Sequence, residues 1–163
     1  MVHRKWVVNS SPLIILGRLS SLCLFEKLCP NLVIPEGVAH ELDQGPVNDP
    51  ARVWIHREAA PSVRTLDKTP PLIQAWDLGK GETEVIAWSY VHPEFEAILD
   101  DRAARNCAAS LGIRVRGTLG VILLAKKEGI LSQVKPLIIS LLEQGFRIDP
   151  ELLSTAYRLA DEE

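Results

Sequence analysis

The 163-residue chain has no excess of positive charge: 18 Lys and Arg stand against 21 Asp and Glu, for a net charge of −3. A wholly basic nucleic-acid surface is thereby excluded, so any such contact needs a local patch or metal ions that offset the acids. Cysteine is scarce, and Cys23, Cys29 and Cys107 form no pair at zinc-ligand spacing. Their odd number points to a reducing, cytoplasmic compartment. No apolar run approaches the roughly 18 residues of a membrane span, so no membrane contact is expected. The opening MVHRKWVVNSSPLIIL resembles a leader only briefly, because Asn9-Ser10-Ser11-Pro12 breaks it and no small-residue cleavage site follows. The chain also lacks a P-loop, and His3, His40, His56 and His92 show no H-E-x-x-H spacing. Internal repeats and low-complexity tracts are absent.

What is present is ordinary globular composition, with 47% hydrophobic and 24% charged residues. The length suits one domain over residues 1–163, with helices in 132–163 as an extension of it. Short apolar segments at Trp6–Val8, Leu32–Ile34, Val63–Leu66, Phe95–Leu99 and Ile113–Val115 read as strands. Helical stretches fall between them. Ser11-Pro12 offers an N-cap followed by proline, and further helices are expected near Leu24–Cys29, from Pro35, over Arg52–Ala59 and from Gly81 towards Tyr90. Helices Arg102–Leu111, Leu119–Lys127 and Val134–Gln144 each have a glycine shortly after, and Asp149-Pro150 opens a last one. Gln44–Asp49 reads as a loop, and Thr69-Pro70-Pro71 as an interruption. Strands alternating with helices predict an α/β fold: a three-layer α/β/α sandwich around a mainly parallel sheet. Ligands of such sheets bind beyond the carboxyl ends of the strands, which gives weight to polar residues there.

Four such places carry acids or an amide. Asn9 follows the first strand, Glu41 lies on the helix after the second, Glu82 and Glu84 open the helix after Gly79-Lys80-Gly81, and Asp100-Asp101 follow the fourth strand. Each has an ordinary alternative. Asn9 suits a turn, Glu41 a solvated helix face, Glu82 a favourable first helical turn and Asp101 the N-cap of the helix from Arg102. Taken together they suggest a site for a hard cation such as Mg²⁺ or Mn²⁺, since clustered carboxylates repel one another unless a cation lies between them. Metal-assisted phosphodiester hydrolysis is the coherent chemistry.

The stretches VVNSSPLIILGRL, VIPEGVAHEL, LGKGETEVIA and ILDDRAARNCAASLGIRVRGTLGVILLAKKEGIL, with the tail LIISLLEQGFRIDPELL, resemble the PIN-domain ribonuclease superfamily. More narrowly, they resemble the branch of predicted nucleic-acid-binding PIN proteins related to VapC toxins, with a GTLG-type C-terminal half. The resemblance implies a Rossmann-like sandwich whose acids hold Mg²⁺ or Mn²⁺ and cut single-stranded RNA. It assigns Glu41, Glu82 and Asp101 as catalytic. It makes Asn9, Glu82 and Asp101, with Asp100 nearby, the metal ligands, and Ser11 a supporting residue. The superfamily usually has Asp where this chain has Asn9, and the amide gives up a charge. The resemblance further implies RNA as partner, a cognate antitoxin protein and a homodimer.

Arg102 and Arg105 are candidate RNA-backbone contacts, with Arg114 and Arg116 further along. A solvated face is an equal reading of them. Lys80 reads as a solvated turn residue. Trp6, Trp54, Trp76 and Trp88 suit core or dimer packing better than base stacking. Two other functions stand beside the nuclease: a catalytically silent PIN-like domain that binds RNA or protein, and a small receiver-like module. The second would place its acidic pair after the first strand, where this chain has Asn9 and Ser10.

Overall fold

The computed structural model describes residues 3–163. Met1 and Val2, at the start of the expected domain span, lie outside the described residues. Five parallel strands, β1 (Lys5–Val8), β2 (Asn31–Pro35), β3 (Val63–Arg64), β4 (Glu96–Ile98) and β5 (Val115–Arg116), form one sheet in the order β3-β2-β1-β4-β5. Helices cover both faces, giving the three-layer α/β/α sandwich. The chain winds one way from β1 to β3 and then crosses to β4 and β5 on the other side, so the strand order switches direction between β1 and β4. In a doubly wound sheet that switch point opens a crevice at the strand ends. The registers Val7↔Ala97 and Val8↔Ile98 bring Asn9 and the residues after Ile98 to that crevice. The Asn9 backbone N–H extends the pairing, donating to the Ile98 carbonyl at 3.1 Å.

The central strands are apolar because both their faces are covered. Trp6, Val7, Val8, Ile98 and Leu99 are fully buried and hold the two site-bearing strands in the core. Burial of each such side chain stabilises the fold by about 1.5–3 kcal/mol. Trp6 meets Phe25 edge-on at 6.3 Å, and Trp54 gives its indole N–H to Glu26 Oε1 at 2.7 Å. Trp88 packs at a tilt against His92 and edge-on against Phe95.

Ten α-helices are found among the described residues: α1 (Ser10–Arg18), α2 (Cys23–Leu28), α3 (Glu36–Asp43), α4 (Pro50–Trp54), α5 (Pro71–Gln74), α6 (Lys80–Val91), α7 (Arg102–Ser110), α8 (Thr118–Lys127), α9 (Lys135–Glu143) and α10 (Pro150–Leu159). Two helices and one strand depart from the sequence expectations. Helix α1 starts at Ser10, with Asn9 rather than Ser11 at the cap position, because β1 ends right at the crevice and the chain turns there at once. Thr69 and Pro70 lie in the irregular stretch after β3, as expected, but Pro71 opens a short helix, α5, at its first position, where a missing N–H costs nothing. Strand β5 begins two residues later than the expected Ile113–Val115, since Gly112 (φ +70°) leaves α7 and the pairing starts only at Val115. Gly129 and Gly145 adopt the same left-handed conformation after α8 and α9. Asp149 caps α10 through the Glu151 N–H, as expected.

Candidate active site at the β1–β4 crevice

Helix α3 carries Glu41 towards the start of α6. One carboxylate oxygen accepts the Gly81 backbone N–H at 2.8 Å, and the other accepts the Ser10 hydroxyl at 2.8 Å. Gly81 lies in the first turn of α6, whose N–H groups have no partner within the helix. Glu41 thus satisfies a helix terminus from a distance and ties α1, α3 and α6 together. Glycine at position 81 leaves room for this contact, since a Cβ there would lie 2.6 Å from Glu41 Oε1 and the carboxylate would have to shift. The serine that reaches an acid is Ser10. Ser11 is exposed and lines a small cavity beside α1.

Glu82 is the next residue along α6. Burial raises its carboxyl above the usual range, and the negative charges of Asp101 and then Glu41 raise it further, against the Gly79 N–H that lowers it. Repulsion of this kind places Glu82 within electrostatic reach of both acids, one from each half of the sheet. Glu84, two residues further along α6, lies over the backbone of α3: a Cβ on Gly37 would sit 1.6 Å from Glu84 Oε2. Burial raises the Glu84 carboxyl too, partly offset by Lys80 and the Gly37 N–H, and Oε2 has no hydrogen-bond partner among the described residues.

The other wall follows β4. Asp101 is the N-cap of α7 and accepts the Ala104 N–H at 3.0 Å, so its ordinary structural role is real. Asp100 turns to α8: it accepts the Thr118 backbone N–H at 2.8 Å and the Thr118 hydroxyl at 2.5 Å. Thr118 is fully buried, so these bonds are shielded from water. In the Gly117-Thr118-Leu119-Gly120 stretch, Gly117 makes room for this contact, whereas Gly120 makes room for the Arg116 side chain. A Cβ on Gly117 would meet Asp100 Oδ1 at 2.9 Å and the Arg105 guanidinium at 2.8 Å. Between the two walls lies Asn9, 3% exposed, its side-chain oxygen buried with no hydrogen-bond donor among the described residues.

Residues 5–162 match the PIN-domain family. The chain belongs to that family. PIN domains are generally nucleases, and they typically use divalent metal ions. A comparison with curated proteins gave no match.

The donor set of this PIN domain is all oxygen, which suits a hard cation such as Mg²⁺ or Mn²⁺. The unpartnered Asn9 oxygen is an open donor at the place where the strands end. Among the described residues, however, no three Asp, Glu, His or Cys side chains are grouped closely enough to enclose a cation. Glu41, Asp100 and Asp101 are each turned to a protein donor instead. Of the two arginines expected to meet RNA, Arg105 bonds the Leu99 carbonyl at 3.3 Å, and Arg102 opens α7 in the exposed position beside Asp101. Arg114 bonds the Glu94 carbonyl and Arg116 pairs with Glu96 at 2.9 Å.

Sequence reasoning missed Ser10, Thr118 and the clamp between Glu84 and Gly37. Ser10 and Ser11 are indistinguishable until the start of α1 is fixed. Thr118 was flagged only as part of the GTLG stretch, whose glycines are the signal that something approaches the backbone closely. Helix α6 and the rest of the described chain contain no helix long and apolar enough to cross a membrane.

Proposed function

We propose that this PIN domain is a divalent-metal-dependent endoribonuclease that hydrolyses phosphodiester bonds of single-stranded RNA. The observation that carries the reading is Glu82, held at the switch point under the repulsion of Asp101 on one side and Glu41 on the other, with the Asn9 oxygen unpartnered between the strand ends. In this reading Asn9, Glu82 and Asp101, with Asp100 nearby, hold Mg²⁺ or Mn²⁺. The cation supplies charge to a phosphoryl oxygen and acidifies a water molecule. Burial and the negative charges of Asp101 and Glu41 raise the Glu82 carboxyl, and a bound cation would offset that repulsion. Glu41 positions Glu82 by fixing the N-terminus of α6. Asp100, locked by Thr118, fixes the approach of α8 to the same crevice. Arg102 lies on the side where a phosphate backbone would leave the acids. The toxin role, a cognate antitoxin protein, a homodimer and a cytoplasmic location belong to this reading through the family resemblance.

A second reading rests on a separate observation. Three of the acids already have protein donors, and the first-strand position is a neutral amide, so the chain also fits a PIN domain that binds nucleic acid or protein without turnover. Cleavage of a labelled single-stranded RNA in Mn²⁺, compared among wild type, Glu82→Gln and Asp101→Asn, separates the two. Under the nuclease reading wild type cuts and both folded variants lose cleavage by a factor of 100 or more, the scale expected for positioned catalytic groups. Equal rates in all three would overturn the site assignment.

A further inference from the structure

Two cavities meet at the crevice, and both are lined by Asp100 and Phe146. The smaller, about 260 Å³, lies along α1 and is bounded by Ser11, Ile14 and Arg18. The larger, about 600 Å³, runs between α7, β5 and α8 under the segment that joins α9 to α10. Its floor is apolar: Val115, Leu119, Leu123 and Ile148. Its rim carries hydrogen-bond donors, with Arg102, Arg105 and Asn106 on α7 and Arg147 opposite, beside the carboxylates of Glu96 and Asp100. Phe146, half-buried, stands where the two cavities join.

The composition of this place is unlike that of the chain. The protein is net acidic, yet Arg18, Arg102, Arg105, Arg116 and Arg147 all line the two cavities, and no lysine does. Arg116 and Arg105 are committed to Glu96 and the Leu99 carbonyl. Arg18, Arg102 and Arg147 make no side-chain hydrogen bond or ion pair among the described residues. An aromatic ring over an apolar floor offers a stacking surface for a base, and planar guanidinium groups match phosphate oxygens two at a time. A base and its phosphates present both features at once. An acidic peptide would use the guanidinium groups but has no particular need of a ring at the junction with Asp100.

We propose that the larger cavity is a base-binding subsite, in which an unpaired nucleobase beside the phosphate at the acidic crevice stacks on Phe146 while Arg102 and Arg147 hold the flanking phosphates. The proposal rests on the nuclease reading for its substrate class and adds a determinant of which strand, and which position on it, is held. Because stacking needs a free face, it also explains a preference for single strands.

The test measures binding apart from cutting. Fluorescence anisotropy of a short single-stranded oligoribonucleotide is recorded in Ca²⁺ on the Asp101→Asn background, with circular dichroism to confirm folding. Phe146→Ala is expected to weaken binding by roughly 5- to 150-fold, the range found when a stacking aromatic is removed. Phe146→Trp, which restores a ring, is expected to bind within about threefold of the parent. An oligonucleotide carrying one abasic position at the subsite should lose the same affinity on the parent and lose nothing further on Phe146→Ala, since the two changes remove one contact. Arg147→Ala should reduce the salt dependence of binding. Unchanged binding by folded Phe146→Ala and Arg147→Ala, in a protein that still cuts RNA with Asp101 restored, would overturn the subsite and leave the nuclease reading standing. Tight binding of an acidic peptide through Phe146 with no affinity for the oligonucleotide would overturn it in favour of a protein occupant. Binding through Phe146 by a protein that never cuts would support the subsite and count against the nuclease reading.

Discussion

Replacing Gly81 by alanine separates the geometry of the acidic site from its chemistry, because no functional group is removed. A Cβ at that position would lie 2.6 Å from Glu41 Oε1 and 2.9 Å from its Cδ, so the carboxylate, at the end of a flexible side chain, has to shift. It then gives up the Gly81 N–H and the Ser10 hydroxyl, both at 2.8 Å. Hydrogen bonds to a charged group contribute about 1.5–3 kcal/mol each. Glu41 is partly exposed and water recovers much of that, leaving a loss of about 2 kcal/mol. Alanine in a helix is favoured over glycine by about 0.5–1 kcal/mol, and in a first turn the lower figure applies. The net change is a destabilisation of about 1–1.5 kcal/mol, or a fall in Tm of about 2–6 °C for a domain of this size. Thermal melting followed by circular dichroism measures it, and RNA cleavage should fall as well although every carboxylate is still present. A Tm that rises by about 2 °C, as helix propensity alone would give, with cleavage unchanged, would refute the role assigned to Glu41.

Further outcomes follow from the same contacts. Thr118→Val removes the buried hydroxyl bonded to Asp100 and should cost about 1.5–3 kcal/mol in urea unfolding, whereas Ser11→Ala should cost less than about 0.5 kcal/mol. Asp101→Asn keeps an N-cap for α7 and should leave stability nearly unchanged while abolishing cleavage; Asp101→Ala should lose about 1 kcal/mol besides. Glu82 has a folded pKa above its ordinary value of 4.5, so its stabilising contribution is complete below that pH and is lost as pH rises through the folded value. In EDTA, the stability of Glu82→Gln relative to wild type should therefore grow from pH 4 towards pH 7, and Mn²⁺ should close the gap by stabilising wild type only. Asn9→Asp buries a charge, so it should destabilise the metal-free protein at neutral pH and bind Mn²⁺ more tightly than wild type in calorimetry.

The sheet was legible because its central strands are buried and all five appear as short apolar runs, and the crevice was legible because polar residues follow two of those runs at once. Caps that use a side chain on the same helix were legible too, as at Asp101 and Asp149. Contacts between distant segments were not. Nothing local to Glu41 says that its partners are Ser10 and Gly81, or that Asp100 turns away from the first strand towards Thr118. These pairings depend on how α3, α6 and α8 are brought over the sheet, and only glycines at the points of close approach mark them. The short strand β5 shifted for a similar reason: Ile113 is as β-prone as Val115, and the exit from α7 at Gly112 decides which of them pairs.

The central claim is that acids from separate parts of the chain act together on a divalent cation at the ends of β1 and β4. Isothermal calorimetry of Mn²⁺ binding to wild type, Glu82→Gln and Asp101→Asn, each confirmed as folded, tests it directly. The account predicts measurable binding to wild type and a loss of roughly tenfold or more in each variant, the scale of removing a charged ligand. Superimposable isotherms for the three proteins would contradict it.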